Sequence, residues 1–181
     1  MQNRLAAQQA WRFDRVILWG WVGLLTAAAA PFLEGRAQAL PAAAAAEILQ
    51  AHNAERAAVG VPPLLWDDAL AATALTCANQ LASSGTLRHC GPGENLWMGA
   101  AGTHSPAQMV ALWAAERRFF QPGLFPDVSR SGRWQDVGHY TQMVWRSTTR
   151  VGCAAATGAD GFTRLVCHYA PAGNKEGRAV F

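Results

Sequence analysis

The sequence predicts an α+β fold, and three observations lead there. Helical signatures fill residues 42–120, β-forming runs gather toward the end of the chain, and no internal repeat or linker separates them. Helices covering the faces of a small, antiparallel sheet are the architecture that such an order supports. The roughly 140 residues from Leu40 to Phe181 are ample for one buried core.

The first 39 residues stand apart. Arg4, Arg12 and Arg15 precede residues 16–33, eighteen positions without a charge, and Ala37 and Ala39 then form an A-x-A cleavage pattern. Basic, apolar and small residues in that order predict a secretory signal peptide over residues 1–39, with an uncleaved N-terminal membrane anchor as the rival reading. Residues 40–181 are then the exported domain, secreted or extracellular, and periplasmic in a Gram-negative cell. They hold eleven Lys+Arg against ten Asp+Glu, so most of the chain's net charge of +3 belongs to the leader. No basic stripe remains to suit a nucleic acid.

Residues 42–59 form an alanine-rich helix with Ile48, Leu49, Ala51 and Val59 available for burial, and Gly60 ends it. Pro62 and Pro63 make an extended link to Leu64-Leu65-Trp66. Asp67 or Asp68 caps a second helix whose Leu70, Ala74, Cys77, Ala78 and Leu81 share one face, and Ser83-Ser84-Gly85 breaks it. A loop fixed by Gly91-Pro92-Gly93 carries His89 and leads into a strand starting at Glu94. Ser105-Pro106 opens a third helix, cap then proline, with Met109, Leu112, Trp113, Glu116 and Phe120 on one stripe. Residues 121–137 read as a surface loop. Gly138 permits a sharp turn before His139, and Tyr140, Met143 or Val144, and Trp145 then read as a half-buried strand. Residues 151–157 and 162–169 are a strand pair around Thr157-Gly158-Ala159-Asp160-Gly161.

All four cysteines fall in the exported part. An even count in an oxidising compartment predicts two disulfides, and four cysteines allow three connectivities. Cys153 and Cys167 flank the 157–161 turn and face each other across the hairpin, which leaves Cys77 to Cys90 by elimination. No C-x-x-C spacing supports a cysteine metal site.

His89, Glu94, Glu116 and His139 are the candidate functional group. Each sits where solubility does not explain a polar side chain: a glycine/proline loop, a strand start, an apolar helix face and a turn. Two neutral imidazoles can bind zinc, and two carboxylates can orient them or serve as acid and base. Tyr140 and Gln142 flank His139 as candidate cleft-lining residues. His52 is expected to pack or hydrogen-bond within the first helix, His168 and His104 to be structural or solvated, and Trp66, Trp113 and Trp145 to anchor the core.

A run of motifs then resembles the CAP superfamily, the group that includes cysteine-rich secretory proteins, antigen 5 and pathogenesis-related 1 proteins. These are His52-Asn53-Ala54-Glu55-Arg56, Leu65-Trp66-Asp67, His89 with Gly93-Glu94-Asn95-Leu96, Trp113 with Glu116, Gly138-His139-Tyr140-Thr141-Gln142-Met143-Val144-Trp145, Cys167-His168-Tyr169 and Pro171-Ala172-Gly173-Asn174. The resemblance implies an α-β-α sandwich with a surface cleft whose tetrad falls on His89, Glu94, Glu116 and His139. It implies that His89 and His139 hold a divalent cation, zinc or another, and that the domain takes a small apolar ligand such as a sterol or fatty acid. Cys90 stands where serine is common, so a disulfide would pin the loop presenting His89.

Binding without turnover is the leading expectation. A metal-dependent hydrolase or protease using the tetrad is the second reading, and an extracellular interaction module the third. The expected partners are a lipid or sterol, with no nucleic acid and the membrane reached only through an uncleaved leader. The chain is expected to be a monomer.

Overall fold

A computed structural model describes residues 39–181, so the leader expected over residues 1–39 lies, apart from Ala39, outside the described residues. Helix α1 spans Ala42–Ala58 and buries Ile48, His52 and Arg56, four residues apart on one stripe. Gly60, at φ +69°, takes the left-handed turn that ends it. The link through Pro62 and Pro63 has no regular secondary structure and leads into strand β1, Leu65–Trp66. Helix α2 spans Asp68–Ser84 and starts where Asp67 accepts a hydrogen bond from Leu70 N at 3.0 Å. Gly85 closes it at φ +66°.

Strand β2 is Glu94–Ala100 and helix α3 is Pro106–Ala114, the latter opened by a capping box between Ser105 and Gln108. Helix α3 turns Met109, Val110, Trp113 and Ala114 inward, which puts Leu112 on the opposite, solvent side. Glu116 lies beyond α3, in a 3₁₀ turn over Ala115–Phe119, and not on a continuous helical stripe. A second 3₁₀ turn, Trp134–Asp136, precedes helix α4, Gly138–Met143. The strand expected over residues 140–145 is therefore this short helix and the turn after it. Its alternating pattern misled because Tyr140, Thr141, Gln142 and Met143 are all buried, and burial on every side erases a periodicity.

Strands β3, Arg150–Thr157, and β4, Phe162–Ala170, form the expected hairpin. The sheet order is β1-β3-β4-β2, antiparallel except for the parallel β1–β3 pair. One face, carrying Leu96, Ala154, Ala156 and Val166, packs on Ala74, Cys77, Ala78 and Leu81 of α2. The other, carrying Trp97, Val151, Leu165 and Tyr169, packs on residues of α1, α3 and α4. The fold is thus an α-β-α sandwich, two helical layers around a four-stranded sheet. Trp113 and Trp145 are core residues, and Trp66 is half-buried at its edge. No helix among the described residues is long and apolar enough to cross a membrane.

Candidate functional site

Two consecutive residues of β2 organise the site. Side chains alternate across a strand, so Glu94 and Asn95 point to opposite faces of the sheet. Glu94 faces α2 and the 87–93 loop, where its Oε2 lies 3.0 Å from His89 Nδ1 and accepts from Cys90 N at 2.9 Å. Its Oε1 lies 2.8 Å from His168 Nε2. Asn95 faces the other layer, where Nδ2 donates to the carbonyl of His139 at 3.0 Å and to the Tyr169 hydroxyl at 3.2 Å. One dipeptide therefore ties down the side chain of one histidine and the backbone of another.

His139 is held by a second carboxylate. Glu116 Oε1 lies 2.6 Å from His139 Nδ1, and its Oε2 accepts from the backbone N–H of His139 and Tyr140 at 3.0 and 3.1 Å. Those amides are orphan donors of the first turn of α4, so Glu116 both caps the helix and aims the imidazole. The His139 ring stacks on Trp113 with centroids 5.9 Å apart. Gly138 brings α4 against Trp134, where an added Cβ would come within 3.1 Å of the indole.

His89, Glu94, His139 and Gln142 line one cavity of about 460 Å³, together with Phe125 and Trp134. Glu116 stands behind His139. Tyr140, expected beside the cleft, packs instead in the core against Phe120, with ring centroids 5.5 Å apart. Gln142 contributes to the wall but spends its carbonyl on Gly173 N at 2.9 Å. His52 bonds within α1 as expected, its Nδ1 lying 2.8 Å from Ile48 O.

Electrostatics follow from these contacts. Burial would raise the Glu94 pKa, but hydrogen bonds from His168, His89 and Cys90 N outweigh it and hold the carboxyl down at about 2. The same bond to Glu94 raises the pKa of His89. With Glu94 ionised and able only to accept, His89 must carry its proton on Nδ1. The Nε2 atoms of His89 and His139 have no protein partner among the described residues.

Cys77 pairs with Cys90 and Cys153 with Cys167. The latter two are directly opposed in the β3–β4 register, while the former pins the loop that carries His89 to α2. Cys77 Sγ, Glu94 and His168 offer ligand atoms within 4.8 Å of one another, a grouping with the shape of a metal site. The disulfide removes the thiolate such a site requires, and the 3.4 Å approach of Cys77 Sγ to Glu94 Oε1 is a contact without a proton. Changing Cys77 and Cys90 together to serine is expected to cost about 3 kcal/mol, the loop-entropy value for a loop of about 15 residues. Denaturant unfolding measures it, and a loss below about 1 kcal/mol would show that the 77–90 loop is already held by its own packing.

His168 and Trp134 are the site residues that sequence reading missed. His168 is opposite Glu94 in the β2–β4 pairing, a register no local pattern reveals. Trp134 lies in a segment read as loop, and nothing in its neighbours marks it.

The family model for CAP, the cysteine-rich secretory protein family, matches residues 49–169. The chain belongs to this family. Among curated relatives, the CAP domain is 39% identical over 137 residues to pathogenesis-related protein 1A of Nicotiana tabacum, covering 75% of this chain and 79% of that one. It is 41% identical over 138 residues to pathogenesis-related protein PR-1 of Medicago truncatula, covering 75% and 78%. Among solved structures, it resembles NaASP2 with Zn2+ at a TM-score of 0.66 and 25% identity, covering 80% of this chain and 87% of that one. The hookworm platelet inhibitor shares the fold at a TM-score of 0.67 and 20% identity, covering 80% and 78%.

Proposed function

We propose that this CAP domain is an exported binding protein whose cleft holds a divalent cation, zinc foremost, on Nε2 of His89 and of His139. One observation carries the reading: both imidazoles border one cavity, and a carboxylate takes the Nδ1 of each. A carboxylate behind an imidazole fixes its tautomer, orients the ring and strengthens the opposite nitrogen as a ligand. The described residues thus fit the cation, and the solved relative whose description includes Zn2+ agrees with it. Two nitrogen donors leave the shell open to solvent or ligand, which suits reversible binding better than a structural zinc.

Binding is favoured over hydrolysis by the state of the two carboxylates. Glu94 and Glu116 each accept three hydrogen bonds, so most of the roughly four acceptor positions of each carboxylate are spent on protein donors, and the Glu94 side chain is shielded from solvent. A sterol, fatty acid or other small apolar ligand would sit elsewhere. Between α1 and α2 lies a second cavity of about 630 Å³, lined by Ala45, Leu49, Ala71, Leu75 and Trp66 among others. Its lining is almost wholly apolar, as a lipid tail requires.

Zinc titration of the parent and of His139→Ala tests the cation. Wild type is expected to bind at about pH 7.5 and more weakly at about pH 5.5, because a protonated imidazole has no lone pair to give. The variant is expected to lose at least about tenfold in affinity. Equal binding by both proteins, or no weakening in acid, removes His139 from the ligand set. Lipid extraction with mass spectrometry tests the apolar ligand, and turnover by the pure protein would overturn the binding reading.

A further inference from the structure

We infer that His168, behind the cleft, is a positioning residue that clamps Glu94 and through it fixes the tautomer of His89. Glu94 and His168 are Cα partners in the β2–β4 ladder, so their side chains rise together on the face covered by α2. His168 Nε2 lies 2.8 Å from Glu94 Oε1, and no other donor reaches that oxygen among the described residues. The remaining neighbour, Cys77 Sγ, has no proton to offer.

The clamp is itself held from behind. Thr73 Oγ1, on α2, lies 2.8 Å from His168 Nδ1 and 2.9 Å from Leu70 O, and with His168 donating from Nε2 to Glu94 the single hydroxyl proton of Thr73 goes to Nδ1. A hydrogen-bonded series thus runs from α2 through Thr73, His168 and Glu94 to His89, crossing from the helical layer to the cavity. Each link removes a rotation. Thr73 sets the His168 ring, His168 sets one carboxylate oxygen, and the other oxygen is left facing His89 Nδ1 and Cys90 N.

The Glu94 side chain is completely enclosed while His168 is partly exposed, so a leucine, which fills the position without a donor, is the substitution that leaves Oε1 unpaired. A buried carboxylate oxygen without a donor is costly, and rotating the group to share the remaining donors is the available relief. With both oxygens sharing those two donors, the bond to His89 Nδ1 would no longer be held in one geometry, and the Nε2–H tautomer would gain population. The Nε2–H form has no lone pair for a cation.

The inference rests on the cation reading only for its affinity consequence, and the test keeps the two apart. In metal-free protein at neutral pH, ¹⁵N shifts of labelled histidine should show His89 as the single Nδ1–H tautomer. His168→Leu should give a mixture, and His168→Gln, whose amide nitrogen can still donate to Oε1, should restore the single form. Zinc affinity should fall about 10- to 100-fold in the leucine variant and recover in the glutamine one. Thr73→Val, which removes only the outermost link, should shift the tautomer ratio in the same direction by less, and it replaces the leucine variant if that chain does not fold. An unchanged His89 tautomer in folded His168→Leu, or in folded Thr73→Val where that variant stands in, overturns the inference. A parent protein that binds no zinc yet shows the tautomer shift overturns the cation reading and leaves the positioning role standing.

Discussion

Replacing Arg56 with alanine is expected to cost roughly 4 kcal/mol and to lower the melting midpoint by about 10 °C or more. The guanidinium is fully buried on α1 and donates to four carbonyls: Pro62 at 2.6 Å, Met143 at 2.9 Å, Trp145 at 3.0 Å and Thr148 at 2.8 Å. No carboxylate pairs with it among the described residues. Burial brings its pKa down to about 10, which leaves it charged at neutral pH. The carbonyls of Met143 and Trp145 belong to the end of α4 and the turn after it, where helices leave acceptors unpaired. Arg56 therefore caps from a distance the helix that carries His139. Alanine would leave the carbonyls of Pro62, Met143 and Thr148 without this donor, Trp145 O keeping Thr148 N at 3.1 Å, and Arg56→Lys, with a single ammonium in place of a planar fork, should fall between. Calorimetry checks both, and a midpoint within about 3 °C of the parent's would show that this network is dispensable.

Acid is expected to destabilise the domain well before its carboxylates titrate. His52 is completely buried, and burial lowers its pKa from 6.5 to about 4, the bond to Ile48 O opposing and the charge of Arg56 adding. The Tyr169 hydroxyl accepts from Asn95 and lies 2.6 Å from His52 Nε2, so it donates its own proton to that nitrogen. A second proton on His52 would face a hydroxyl already committed. Above pH 6.5 both folded and unfolded chains hold the ring neutral, and the full stability is present. Between 6.5 and about 4 only the unfolded chain gains the proton, so stability falls with pH, by roughly 3 kcal/mol over the whole window.

Other groups shape the profile around this fall. His89, with its pKa raised by Glu94, contributes in the opposite sense: its share is complete below 6.5 and fades as pH rises through its folded value. Glu94 adds a later loss, from about 4.5 down to about 2. Unfolding free energy measured across pH 7 to 4 should therefore decline. His52→Leu, less stable at neutral pH, should decline less steeply. Equal slopes in parent and variant would place the sensitivity elsewhere.

What could be read in advance followed the range of each signal. Asp67 as a cap, Ser105-Pro106 as a helix start, Gly60 and Gly85 as stops, and the hairpin around residue 158 are set by neighbours a few positions away. Sequence carries such instructions openly. His139 stands out in the sequence but its helical setting does not, because α4 is specified by Glu116 and Arg56 acting from other elements. The partnership of His168 with Glu94 depends on a register between strands 74 residues apart. Tyr140 looked like a companion of His139 because it is adjacent in sequence, while on a short helix adjacent residues diverge, and it went to the core.

The strand order also bears on how the protein is made. Strand β2 pairs only with β4, and β4 is the last strand synthesised although it lies inside the sheet. While the ribosome is still adding residues 101–161, Glu94 and Asn95 sit on a strand with no partner, and neither histidine has its final support. Both halves of the cleft wait for the same late segment, which brings Cys167, His168 and Tyr169 in one stroke. A nascent chain of this kind exposes an unpaired edge until β4 has been made, the state most open to wrong pairing. Any factor that shields β2 during that interval would therefore raise the yield of active protein without touching the finished molecule.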